Sequence, residues 1–432
     1  SPMKDFGYDV SDYRDIDPQF GTMADFDALI ARAHQLNLKI MIDLVLSHTS
    51  DQHPWFAESR ANRTNPKADW YVWADPKPDG TPPNNWLSIF GGSAWQWDAR
   101  REQYYLHNFL KEQPDLNFHN PDVQQALLDV AAFWQDRGVD GFRLDTINFY
   151  THDAQLRNNP GLPPEQRKSD TAPAVNPYNH QSHKYDKSQP ENLDFLEKLR
   201  AVMDLKGTAA VGEIGDSEKA WELLEEYTSG DKRMQMSYVF DFLSGDDLTA
   251  KRIVEVFEEK ARRAPDGWPC WAFSNHDVVR HTSRWGLNDD AIKAYATVLM
   301  CLRGSVCIYQ GEELGLPEAD VAFEDLQDPY GIEFWPEFKG RDGCRTPMVW
   351  DGNTNTHGGF STAKPWLPVP AEHLARAVSA QQANPNSVLN HYRDAMESMI
   401  TICGFSRSIT VFIVSKFVSH KSVSKSPKVP IR

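Results

Sequence analysis

Residues 140–149 read "DGFRLDTINF", a short apolar run that holds Arg143 and Asp145 two places apart. A fully buried strand has little use for two opposite charges, since each costs solvation unless something pairs with it or uses it. The stretch before it, "NPDVQQALLDVAAFWQDRG" (120–138), reads as a helix: Asn120 is the N-cap, Pro121 takes the first helical position, and Gly138 follows the end. Val123, Leu127, Val130 and Trp134 give that helix one apolar stripe. A helix feeding a buried strand is the repeating unit of a parallel sheet.

The unit recurs on both sides. Upstream, "ADFDALIARAHQLN" places Phe26, Leu29, Ile30 and Ala33 at a helical period, and "LKIMIDLVLSH" (38–48) is a near-continuous apolar strand. Downstream, "NLDFLEKLRAVM" precedes the strand "TAAVGEI", and "SEKAWELLEEY" precedes "MQMSYVFDF". "LTAKRIVEVFEEKARR" leads to "CWAFSNHD", and "AIKAYATVLMCLRG" to "SVCIYQGEELG". Six strand candidates in repeating β/α order predict an α/β fold built on a parallel sheet or barrel.

Three segments break the rhythm. Residues 49–119 are long, aromatic and rich in Pro and Asn, more like an inserted subdomain than a loop. Residues 150–190 are polar, and 316–370 are again irregular. Each follows the carboxyl end of a strand, where α/β proteins keep their binding sites. From about Ala395 the chain changes character, with no acidic residue after Glu397 and Ser/Lys/Val low complexity at its end. It reads either as a β-rich terminus or, in better accord with that composition, as an appended or out-of-frame segment.

Composition excludes several classes. With 40% apolar and 25% charged residues, the 432-residue chain has ordinary globular composition. A formal net charge of −16 repels a polyanion, which argues against nucleic acid. No apolar run reaches the ~18 residues of a membrane span. The five cysteines (Cys270, Cys301, Cys307, Cys344, Cys403) include no CxxC, and suit a reducing compartment better than a disulfide framework or a zinc site. The 14 Trp and 12% aromatic share suit sugar stacking, although most such rings are expected in the core.

Several strands finish in polar groups: His48, Arg143 with Asp145, Glu213, and His276 with Asp277. Around one barrel such ends converge on a single pocket. Each has a plain structural reading: His48 as a satisfied core histidine, Arg143 as the partner of Asp43, Glu213 and Asp277 as helix caps. Together they would cost much unless something uses them. Two carboxylates ~5–5.5 Å apart suit a retaining glycosidase, one attacking the anomeric carbon and the other donating the proton. An arginine beside the nucleophile favours its ionised form and orients it. The residues alone also leave a second arrangement open, carboxylates with histidine as metal ligands.

In chain order, "DFGYDVSDY", "DLVLSHTSDQHPWF", "QPDLN", "GFRLDTINF", "VGEI", "FSNHD" and "RDGCRTPMVWD" resemble the motifs of glycoside hydrolase family 13, the α-amylase family. Within it the chain is similar to the bacterial α-glucosidase and oligo-1,6-glucosidase branch. The resemblance implies a (β/α)8 TIM barrel, with Asp145 as nucleophile, Glu213 as general acid/base, and Asp277 as a third carboxylate that grips sugar hydroxyls. It implies that Asp5, Tyr8, His48, Phe109, Arg143, His276 and Arg345 line a pocket for the nonreducing-end glucose. A pocket closed at that end favours exo-action on maltose, short oligosaccharides or aryl α-glucosides, with transglucosylation as a further outcome. In this branch Thr after the nucleophile goes with α-1,4 preference and Val with α-1,6; here it is Thr146, which by itself also reads as a plain β-branched strand residue. The implied ligands are small α-glucosides, with no cofactor, nucleic acid or membrane, in the cytoplasm.

The chain departs from the family pattern in three places. Ser47 stands where many members have the Asn that holds calcium in the amylases, so no metal site is carried over. The family's first two strands would precede Ser1, and its C-terminal β domain is absent, similarity fading near Arg393. The expected organisation is therefore a partial barrel (1–48), an inserted B subdomain (49–119), the rest of the barrel (120–394) and an atypical tail (395–432). Six of eight strands would leave the barrel incomplete, with two unpaired edges. Three other readings stand beside the α-glucosidase: an oligo-1,6-glucosidase or trehalose- or sucrose-processing relative; a non-catalytic interaction subunit of the same fold; and an inactive fragment whose function belongs to its parent.

Overall fold

The computed structural model describes residues 1–167 and 172–403; the low-complexity end, 404–432, lies outside the described residues. Among the described residues nine strands form two sheets. They are β1 (Met41–Leu44), β2 (Trp73–Ala74), β3 (Trp95–Asp98), β4 (Gln103–Leu106), β5 (Gly141–Leu144), β6 (Ala209–Glu213), β7 (Met236–Tyr238), β8 (Pro269–Trp271) and β9 (Ser305–Val306). The main sheet runs β1-β5-β6-β7-β8-β9, every neighbouring pair parallel. Its six strands are the six expected from the sequence. Among the described residues nothing pairs with the outer edges of β1 and β9, so the sheet is an open arc and the barrel is not closed.

Local signals explain the elements. The helix Pro121–Asp136 starts where the Asn120 side chain accepts a hydrogen bond from the Asp122 amide, with Pro121 at its start. The chain leaves this helix through Gly138 at φ +91°, a conformation costly for any residue with a Cβ. The helix Met23–Gln35 opens on a capping box between Thr22 and Asp25. The strand expected over 38–48 narrows to Met41–Leu44, because a ladder extends only as far as its neighbour β5. Past it, His48 forms an isolated antiparallel bridge with Asp115 instead.

Alternation along the strands sorts side chains between two faces. Phe142 and Leu144 of β5, Ala210 of β6 and Trp271 of β8 join the large core with Leu127, Val130, Leu196, Leu199 and Leu224 from the flanking helices. The intervening positions point into the arc, where Val211, Met236, Tyr238, Cys270, Ala272 and Cys307 form a second apolar cluster. Asp43, Arg143 and Glu213 occupy the same alternate positions as that cluster. The inner face is thus apolar in the middle and polar at the strands' carboxyl ends.

Within residues 49–119, β2, β4 and β3 form a small antiparallel sheet in that order, packed on Trp86, Ala94 and Trp95. The helix Val388–Cys403 runs through position 395, and its Tyr392, Ala395 and Met396 pack on Ile292, Ala296 and Met300. A Cβ at Gly141 would lie 2.7 Å from the Ala209 carbonyl oxygen and 2.8 Å from Met41 Cγ, so β5 approaches both neighbours too closely for any side chain there. Gly141→Ala is expected to destabilise the fold by about 1–3 kcal/mol through overpacking, read as a lower urea midpoint at unchanged slope.

Candidate active site

The register of the central strands assembles the site. Asp43 on β1 lies opposite Arg143 on β5, and Arg143 lies opposite Val211 on β6. Two residues further on, Asp145 and Glu213 come level at the carboxyl ends of neighbouring strands and face the same way. Arg143 reaches all three carboxylates. Its Nη1 donates to both oxygens of Asp43 at 3.2 Å and to Asp145 Oδ1, and its Nη2 donates to Glu213 Oε2 at 2.5 Å. The guanidinium is buried; desolvation works against its charge, but Asp43, Glu213 and their neighbours more than offset that and hold its pKa well above the usual value. Arg143 therefore both pairs Asp43 and contacts Asp145; the two sequence readings of it are one arrangement.

Tyr8 extends the network. Its hydroxyl donates to Asp43 Oδ2 at 2.8 Å, lies 2.6 Å from His276 Nε2 and accepts from Arg143 at 3.4 Å, while its ring stacks on His276. Burial pushes this phenol well above its ordinary pKa, so it stays protonated. On the far side, Asp277 meets His276 at 3.1 Å, Arg341 at 3.1 Å and Arg345 at 2.9 Å. Burial raises the Asp277 carboxyl, but His276, Arg341, Arg345 and Arg143 outweigh it and hold the group well below the carboxylate range. Glu213 goes the other way. Its burial outweighs the pull of Arg143, and Asp145, Asp277 and Asp43 add to the rise, which carries it to about 8. Neither Glu213 nor Asp277 caps a helix: the helix Ala220–Thr228 follows Lys219 with no side-chain cap, and His281–Arg284 follows Arg280 likewise.

Thr146, next after Asp145, is not a strand residue. Strand β5 ends at Leu144, and Thr146 sits at φ 38°, ψ 54°, a left-handed conformation that a β-branched residue rarely adopts. The kink turns the chain straight into the 3-10 turn Ile147–Phe149. It also aims the Thr146 hydroxyl at Asp145 Oδ2 (3.3 Å) and its amide at Glu213 Oε2 (3.4 Å). Ser47, the residue that departs from the family pattern, lies 2.9 Å from His48 Nδ1 and 3.5 Å from the Thr146 hydroxyl.

These groups surround a cavity of about 830 Å³, open mouth included. Of the residues marked out in the sequence, Asp5, Tyr8, His48, Phe109, Asp145, Thr146, Glu213 and Asp277 line it. Arg143, His276 and Arg345 stand one layer behind, holding the lining side chains. His48 is both things the sequence allowed: it lines the cavity, and its Nε2 lies 3.0 Å from the Tyr8 carbonyl oxygen and 3.1 Å from Gln113. The carboxylates turn toward guanidinium and phenol groups, and among the described residues no set of three or more His, Cys, Asp or Glu is arranged to hold a metal ion.

Sequence reasoning missed Arg341, which donates to Asp5 (3.1 Å) and Asp328 (2.8 Å) as well as Asp277, and lies over Phe90. Burial disfavours its charge, yet Asp328, Asp5 and Asp277 hold it cationic. The signal was present: "RDGCRTPMVWD" carries two arginines, and only Arg345 was singled out. Phe90 and Tyr330, also on the cavity, come from irregular segments with no periodicity to betray them, whereas Phe149 and Phe240, which line it too, stand at the ends of apolar runs.

A parallel α/β arc with carboxylates and arginines gathered at its strand ends is the architecture of a sugar-cleaving barrel. The chain belongs to the α-amylase family: the family model "Alpha amylase, catalytic domain" matches residues 1–399. It is an enzyme, a glycoside hydrolase. It is 67% identical over 398 residues to a probable alpha-glucosidase of Rhizobium meliloti (strain 1021), a match covering 91% of this chain and 72% of that protein. It is 37% identical to an oligo-1,6-glucosidase of Heyndrickxia coagulans, over 92% and 75% of the two chains. Among solved structures, the alpha-glucosyl transfer enzyme XgtA superposes with a TM-score of 0.88 at 58% identity, covering 91% of this chain and 73% of that one.

Arg143 is the only counter-charge common to Asp43, Asp145 and Glu213 among the described residues. Arg143→Leu is expected to lower stability by about 3–5 kcal/mol, because it strands buried carboxylates. Chemical denaturation near neutral pH measures the loss. An unchanged midpoint would mean that Asp43 and Asp145 are solvated without it.

Proposed function

We propose that this chain is a retaining, exo-acting α-glucosidase that removes α-1,4-linked glucose from maltose, short oligosaccharides and aryl α-glucosides. The observation that carries the reading is the shared Arg143 guanidinium, which holds Asp145 and Glu213 side by side on neighbouring strands. Strands lie ~4.8 Å apart, so the pair suits the ~5–5.5 Å separation of a retaining glycosidase. Asp145 Oδ2 attacks the anomeric carbon while Glu213 gives its proton to the glycosidic oxygen, and the leaving group departs as a neutral alcohol. Glu213, now a carboxylate, takes a proton from water, which cleaves the glycosyl–Asp145 ester and restores both groups. Burial that keeps Glu213 protonated near neutrality fits the first step. Arg341 and Arg345 keep Asp277 ionised to accept from sugar hydroxyls, and Asp5, His48, Phe109 and Tyr8 close the glucose end.

Residues 49–119 are read as the inserted subdomain that walls this pocket. When a sugar replaces water as acceptor, the same ester yields a longer glucoside; the likeness to an alpha-glucosyl transfer enzyme supports that outcome. The oligo-1,6-glucosidase names among the relatives favour a second reading, α-1,6 cleavage, and Thr146 is the residue that divides the two. Unbridged Cys270, Cys301, Cys307 and Cys344 support a cytoplasmic setting, and among the described residues no helix is long and apolar enough to cross a membrane.

Three measurements test the reading. Asp145→Asn is expected to abolish glucose release from maltose, whereas Glu213→Gln retains glycosylation only by aryl glucosides with good leaving groups; substantial maltose turnover by Asp145→Asn would overturn the assignment. The acid form of Glu213 is the active one, so kcat/KM for maltose should fall as pH rises through about 8, and that limb should vanish in Glu213→Gln assayed with an aryl substrate. Thr146→Val removes the hydroxyl bonded to Asp145, and is expected to raise the isomaltose-to-maltose ratio of kcat/KM; an unchanged ratio removes Thr146 from specificity.

A further inference from the structure

Asp145 and Glu213 stand where the sheet stops holding their strands to each other. The ladder between β5 and β6 ends at the pair Leu144–Gly212, and Asp145 and Glu213 each lie one residue beyond it. After them the two chains enter separate irregular segments, the turn Ile147–Phe149 on one side and the stretch before the helix Ala220–Thr228 on the other. Groups at a reacting centre must be held to within about 0.5 Å, and a misplacement of about 1 Å can cost on the order of a hundredfold in rate. A tie beyond the end of the ladder is therefore needed to keep the spacing of the pair.

Asn148 supplies that tie. It lies in the turn just past Asp145, and its carboxamide meets Gly215, just past Glu213, as one more rung of the ladder would. Its Oδ1 accepts from the Gly215 amide at 2.9 Å, and its Nδ2 donates to the Gly215 carbonyl at 3.2 Å. A carboxamide copies a peptide group, one acceptor beside one donor, which an aliphatic side chain cannot do. Ser188 doubles the connection. Its hydroxyl accepts from Asn148 Nδ2 at 3.0 Å and donates to Asp216 Oδ2 at 2.7 Å, while its amide donates to the Asn148 carbonyl at 2.6 Å. Asn148 is wholly buried between Ile147 and Phe149, which are buried as well, so its end of the tie is packed in place. It does not line the catalytic cavity, and acts on a substrate only through what it holds.

Resting on the α-glucosidase reading, we propose that Asn148, backed by Ser188, is the positioning residue that sets the distance from Asp145 to Glu213. Asp145 belongs to the same packed segment as Asn148, so loss of the tie displaces Glu213 and weakens proton donation more than nucleophilic attack. Maltose needs that proton because its sugar is a poor leaving group, whereas p-nitrophenyl α-glucoside needs it far less. The test takes the ratio of kcat/KM for maltose to that for p-nitrophenyl α-glucoside in the full chain and two variants. The ratio should fall about tenfold or more in Asn148→Ala and about threefold in Ser188→Ala. A role confined to stability lowers the urea midpoint and leaves the ratio in place, so a ratio that does not fall in folded Asn148→Ala overturns the proposal. If that variant does not fold, Ser188→Ala decides alone, and an unchanged ratio there counts against the proposal in the same way. A wild-type chain that cleaves neither substrate sinks the α-glucosidase reading and this inference with it. An active wild-type chain with an unchanged ratio in the variants sinks the inference only.

Discussion

One buried guanidinium holds the centre of this protein together. Arg143 sits on the middle strand of three and reaches a carboxylate on its left, one on its right and one two residues ahead, just past the end of its own strand. Each of these charges would be costly alone in a desolvated interior. Together they form a cluster whose geometry follows from strand register: the parallel ladder brings Asp43 level with Arg143, and the period of two carries Asp145 and Glu213 level with each other. A slip of one residue in either pairing would turn these groups into the outer hydrophobic layer. The apolar clusters on both faces of the sheet therefore do more than stabilise it; they set the register on which the charges depend.

A second cationic focus complements the first. Arg341 and Arg345 share Asp277, and Arg341 also joins Asp5 from the start of the chain to Asp328 from the late irregular segment. The result divides two neighbouring carboxyl groups. Asp277, with cations on several sides, is held ionised, whereas Glu213, buried and facing other carboxylates, is pushed toward its neutral form. Environments that separate the pKa values of adjacent acids assign them different work. Here the separation follows from where two arginine foci stand, one beneath the strand ends and one on the rim.

How much of this the sequence disclosed depended on local pattern. The β/α alternation, the six main-sheet strands and the Asn120–Pro121 helix start were legible, because hydrophobic period and capping are written in neighbouring residues. The strand-end polar groups were legible as a set, since each interrupts an apolar run. Arg341 and Tyr330 were not. They come from segments without periodicity, and their place on the cavity depends on long-range closure of loops, for which adjacent residues carry no sign. Even among the legible residues, the layer was hidden. Arg143, His276 and Arg345 support the lining rather than form it, a distinction of side-chain reach that spacing cannot express.

Thr146 shows how backbone shape and chemistry meet in a single residue. A regular strand would have carried it to the opposite face from Asp145, into the packed helical layer. The left-handed turn at φ 38° redirects the chain so that its hydroxyl bonds Asp145 and its amide approaches Glu213. Such a conformation costs on the order of 1–3 kcal/mol in a non-glycine residue and persists only where its surroundings enforce it. The enforcement is visible: Ile147 and Phe149, which follow the kink, are buried, and Ile147 packs so closely on Gly212 that a Cβ there would come within 2.3 Å. Gly212 thus leaves room for the turn that sets Thr146 between the two carboxylates, and the residue ahead of Glu213 on β6 shapes the surroundings of Asp145 just past β5.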